Sequence, residues 1–134
     1  MTLDAAALGT PRVTTSLALI ALLFATSGVM HLVKPQPFVS IMPPWLPGAL
    51  ALVLISGVLE IAGAAGILLP STRVVAGWGL IALLLAVFPA NVQMLLNARA
   101  AHASATWTAL LVARLPLQVL LIIWVYRSAI RSAA

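Results

Sequence analysis

Long apolar runs, each closed by a charge, a proline or a cluster of small polar residues, repeat along the chain. From Val13 to Val33, between Arg12 and Lys34, no charged residue occurs. At about 1.5 Å per residue, such a helix crosses a hydrocarbon core of about 30 Å. The second run, Ala49 to Leu69, is interrupted only by Glu60 and stops at Pro70, with Ser71, Thr72 and Arg73 supplying a tight turn. The third, Val74 to Leu96, has no formal charge but holds Pro89, Asn91 and Gln93. The fourth, Trp107 to Tyr126, contains Arg114, Pro116 and Gln118 and ends at Arg127. The pattern predicts an all-α integral membrane four-helix bundle forming a single domain over 1–134, with helices over 13–33, 49–69, 74–96 and 107–126.

The last two connections are short, so the second, third and fourth helices are expected to be antiparallel neighbours. The first connection is longer and carries Pro35, Pro37, Pro43, Pro44 and Pro47. These prolines lack an N–H and clash with the preceding turn, so the segment cannot be one regular helix. Its Phe38, Ile41, Met42, Trp45 and Leu46 point to a stretch folded back on the mouth of the bundle or lying at the interface. The first run lacks an early basic cluster and an A-x-A cleavage pattern after it, so it reads as a retained span rather than a signal peptide.

Composition narrows the class further. The 134 residues are 63% hydrophobic and only 7% charged, against about a quarter charged in soluble domains. Such a chain cannot supply the polar surface of a small soluble globule, and it is too apolar for disorder. The 7 Lys/Arg residues are spread one per segment and form no basic stripe, which argues against nucleic acid. Arg12, Arg73, Arg127 and Arg131 flank one side of the spans and Lys34 and Arg99 the other, so both termini are expected in the cytoplasm. The chain has no cysteine, which excludes disulfides, dithiol relays, cysteine-ligated iron–sulfur clusters and thioether-attached haem.

The rare polar residues inside the spans then carry the chemistry. Glu60 lies mid-helix among Ser56, Gly57, Gly63 and Ala64, a small-residue face suited to close helix packing, and must face protein rather than lipid. Arg114 is the expected partner. It lies about 10 Å down the fourth helix, and Glu60 about 16 Å down the second, level with Gln118, which would assist the pair. Pro89 frees the carbonyl of Leu85 and Pro116 that of Val112, so two kinks are expected beside Asn91, Arg114 and Gln118. Together with His31 at the end of the first helix, these residues outline a polar pocket in the half of the bundle near the proline-rich loop. A purely structural ion pair is the competing reading of Glu60 and Arg114.

Trp45, Trp78, Trp107, Trp124 and Tyr126 fall near span ends and read as interfacial anchors. Met30, His31, Met42, Met94 and His102 lie toward one side, but no ligand spacing joins them, so no metal site is expected and no intrinsic cofactor is evident. No Ser–His–Asp set or phosphate-binding glycine loop is present, so no independent catalytic centre is expected.

The segments GVMHLVKPQPF, MPPWLP, SGVLEIAGAAGILLPSTR, FPANVQM and RLPLQVLLIIWVYR, taken in order from Gly28 to Arg127, resemble the small bacterial DoxX-like (MauE/DoxX) membrane proteins. The resemblance carries onto His31, Pro35, Glu60, Pro89, Ala90, Asn91, Arg114, Pro116 and Gln118. It implies a four-helix protein of the bacterial inner membrane associated with redox or respiratory partners. From this follows the expectation of a membrane subunit with a quinone-sized pocket, serving a redox partner protein. Two other functions compete: transport of a small solute or proton, which would require a homo-oligomer, and a structural scaffold for a membrane complex.

Overall fold

The computed structural model describes residues 13–134. Its elements are α1 (Thr15–Val33), the single turn α2 (Gln36–Val39), α3 (Ala49–Leu68), α4 (Arg73–Ala100) and α5 (Ala105–Val125). A π turn at Tyr126–Ile130 and a 3-10 turn at Arg131–Ala133 extend α5. Four helices, the last taken together with its extension, are long and apolar enough to cross a membrane. The chain is thus an all-helical, multi-pass protein with the expected spans, while Arg12 and Asp4 lie outside the described residues.

Local chemistry sets the helix ends. The Thr14 hydroxyl accepts from the Leu17 N–H and opens α1, and the Ser104 hydroxyl accepts from the Trp107 N–H and opens α5. Lys34 and Pro35 close α1, and Gly48, at φ +68°, turns the chain into α3. At the α3–α4 turn, Thr72 Oγ1 donates to the Gly66 carbonyl at 2.7 Å, and Arg73 Nε donates to the Ile67 carbonyl at 2.8 Å. Arg73 is buried with only 6% of its surface exposed, so this cation caps the end of α3 as well as flanking a span. At the far end α4 continues past the expected Leu96 to Ala100. Gln93 Nε2 donates to Asn97 Oδ1 one turn on, and at about 1.5 Å per residue the extra length projects beyond a hydrocarbon core.

The helices form two packed pairs. In the first, α1 lies along α3 through Gly28 and Gly57, where a Cβ on Gly28 would come within 2.6 Å of the Gly57 carbonyl oxygen. In the second, α4 lies along α5. The pairs join at the end where α1 begins and α5 ends. There Leu17, Ile20, Ala64, Ile67, Leu80 and Val125 form a buried core, and Gly77 receives Ala129 and Ile130 of the π turn. Trp124 Nε1 donates to Ser16 Oγ at 2.6 Å, and Ser16 and Ser128 share a second hydrogen bond. Trp124, expected as an interfacial anchor, therefore locks α5 to α1. Trp45, Trp78, Trp107 and Tyr126 are exposed, as anchors must be.

Toward the loop end the two pairs diverge. The proline-rich segment folds back over the gap: the Phe38 ring meets His31 edge-on at a centroid distance of 4.0 Å, and Asn97 Nδ2 donates to the Ser40 carbonyl at 3.2 Å.

Candidate functional site

The divergence leaves a cavity of about 580 Å³ in the loop-end half of the bundle. His31, Glu60, Asn91, Arg114 and Gln118 all line it, as does Pro89. The roof is Phe38, Ile41, Met42 and Leu46, and most of the remaining wall is apolar. His102, by contrast, sits in the short α4–α5 connection at φ +51°, exposed and away from the cavity lining.

The polar groups stand on two walls, and their pairing differs from the sequence expectation. Glu60 does not pair with Arg114. Its partner is His31, with Nδ1 and Oε2 3.1 Å apart, both side chains buried and neither atom holding a hydrogen bond to any other group. The backbone explains the pairing. In antiparallel α1 and α3, Gly57 lies against His31 Cβ, while Gly28 lies against Glu60 Cβ. Each glycine clears space for the polar residue of the opposite helix. The spacing Gly28–His31 on one helix and Gly57–Glu60 on the other is therefore reciprocal, and it is the signal by which the sequence carries this pair.

The opposite wall belongs to α4 and α5. Asn91 Nδ2 donates to Gln118 Oε1 at 2.5 Å, and Gln118 Nε2 donates to the Leu84 carbonyl. Gln118 thus bridges the two helices beside Pro89, next to the Leu85 carbonyl that this proline deprives of its helical donor. Instead of assisting an ion pair, it ties α4 to α5. Arg114 is exposed, and the contact recorded for its guanidinium is the Met94 sulfur at 3.8 Å. Glu60 is the single acidic residue among those described, and it is engaged by His31. Arg114 therefore faces the cavity with its hydrogen-bonding fork uncommitted to any carboxylate of the described chain.

The arrangement can hold a small, mostly apolar molecule with hydrogen-bond acceptors. Its volume falls within the range of about 300–1,000 Å³ common to small-molecule sites. Among the described residues no group of His, Asp or Glu is placed to hold a metal ion. Fold and cavity together define a polytopic helical membrane protein with an intramembrane polar site. The chain belongs to the family described as a domain of unknown function, DUF8561, whose model matches residues 20–129 and so takes in every polar residue of the cavity. Comparison with curated proteins and with solved structures finds no match.

Proposed function

We propose that the protein is the membrane component of a redox system and binds a lipid-soluble quinone between its two helix pairs. The observation that carries this reading is the cavity, apolar over most of its wall and polar at a few convergent points. A quinone ring presents carbonyl acceptors, and the residues present fit them. Arg114 offers several N–H groups, and Asn91 retains a second amide N–H beyond the one given to Gln118. His31, with Glu60 behind it, presents its imidazole at the other wall. When bound, a quinone supplies reversible two-electron, two-proton chemistry; the electrons come from a partner protein. The resemblance to DoxX-like proteins supplies the redox association and the inner-membrane setting, with both termini cytoplasmic by the count of flanking cations.

A packed core of Leu17, Ile20, Ile67 and Leu80 lies beyond the cavity, which favours a binding site over a through-route for solutes or protons. The test is equilibrium binding of a decyl-tailed benzoquinone to the purified chain in lipid nanodiscs. Arg114→Ala and His31→Ala should each weaken binding about tenfold or more, the effect of losing one charge-assisted hydrogen bond. Absence of binding, or binding by both variants as tight as that of wild type, refutes the reading.

A further inference from the structure

Around the cavity, α1 packs on α3, α3 on α4 and α4 on α5, but α1 and α5 do not pack along their lengths. They meet through Ser16, Trp124 and Ser128, at the end remote from the cavity. Above that junction the facing residues are Leu23 on α1 and Leu117 and Leu121 on α5, and all line the cavity. Leu23 is 46% and Leu117 59% exposed, so both stand at an edge where the cavity meets the surroundings. In a four-span protein those surroundings are acyl chains.

The loop end is different. There α2 and the following turn roof the cavity, held by the Phe38–His31 contact and the Asn97–Ser40 hydrogen bond. Arg114 also sits toward this roofed end: along α5 it precedes Leu117 and Leu121 by one and two turns, while Gln118 lies at their level. One continuous space thus has a hydrogen-bonding end under the roof and a leucine-lined cleft leading sideways into the bilayer.

We infer that the cavity takes a single-tailed amphiphile from the bilayer, its polar head under the α2 roof and its hydrocarbon tail in the cleft between α1 and α5. This rests on the proposed binding of a lipid-soluble ligand and adds the class and the route: the ligand is tailed, and it enters from the membrane rather than from water. Leu23, Leu117 and Leu121 select for the tail, while Arg114 and Asn91 hold the head.

Two measurements on the full chain in nanodiscs test the inference. The first compares a decyl-tailed benzoquinone with the same ring carrying a methyl group in place of the tail. Wild type should bind the tailed probe at least tenfold more tightly. Leu23→Trp with Leu117→Trp should erase that advantage. Survival of the advantage in the double variant overturns the inference, as does equally tight binding of the two probes by wild type. The second needs no quinone. The chain has no cysteine, so Leu121→Cys and Val119→Cys each carry one fluorophore at a defined position. Val119 is 53% exposed and marks the lipid-facing surface. Lipids brominated on their acyl chains should quench the label at 121 to within twofold of that at 119. Strong protection at 121 closes the cleft to tails and overturns the inference. Quenching at 121 without binding of either quinone leaves a tail-accepting cleft and rejects the quinone itself.

Discussion

Two glycines separate packing from mere composition in this bundle. An alanine at position 28 would set its Cβ 2.6 Å from the Gly57 carbonyl oxygen and 2.8 Å from Ile61 Cγ1. The nearer atom is backbone and cannot rotate away, so α1 must move off α3. Overpacking of this kind costs about 1–3 kcal/mol, and a backbone obstacle puts Gly28→Ala at the upper end. That is a loss of more than about a hundredfold in the folded-to-unfolded ratio. Gly79 is the control: it is also helical, on α4, but a Cβ there meets nothing within 4 Å. Gly79→Ala should be neutral or stabilising by up to about 1 kcal/mol, the helix-propensity gain alone. Reversible unfolding in mixed micelles, followed by far-UV circular dichroism, measures both variants. Equal effects at the two positions would refute the close α1–α3 crossing, and with it the placement of His31 beside Glu60.

A double-mutant cycle of His31→Ala with Glu60→Ala should give a coupling energy of about 1 kcal/mol, whereas Arg114→Ala with Glu60→Ala should couple by less than about 0.5 kcal/mol. Reversal of that order in the same unfolding assay would restore the Glu60–Arg114 pair. Gln118→Leu removes the bonds to Asn91 and to the Leu84 carbonyl and should destabilise by about 1–2 kcal/mol; an unchanged unfolding midpoint would argue against the bridge. Arg73→Met keeps the aliphatic stem but uncaps the Ile67 carbonyl, costing about 1.5–3 kcal/mol in that assay. Arg114→Ala should leave stability within about 0.5 kcal/mol of wild type, because its guanidinium makes no buried bond.

The spans were legible because the bilayer imposes a length on apolar runs, and charge or proline bounds each of them. The membership of the cavity was legible for a related reason: Glu60, Asn91 and Gln118 are too costly to face lipid, so they gather between helices. Partner choice was not legible in the same way. Arg114 and Glu60 have opposite sign and matched depth, but depth leaves helix rotation undetermined, and the α1–α3 crossing turns Glu60 toward His31. Only the reciprocal spacing of Gly28 and His31 against Gly57 and Glu60 encodes that rotation. Trp124 escaped for the opposite reason: its place near a span end suits an anchor, and the Ser16 hydroxyl that claims it lies more than a hundred residues away in sequence.

The separation of the polar residues into two walls bears on function more than their number does. Had Glu60 met Arg114, the pair would have tied α3 to α5 across the cavity and closed it, as a structural bridge does. Instead each helix pair gathers its own polar groups, His31 beside Glu60 on one side and Asn91 bonded to Gln118 on the other. The two halves are held together elsewhere, by the core around Leu80 and Ile67 and by the Trp124–Ser16 bond. A chain that needed only a stable bundle gains nothing by holding this space open and leaving an arginine on its wall with no carboxylate from the described residues. The cost becomes intelligible under the proposed binding, in which a third body completes the hydrogen bonds.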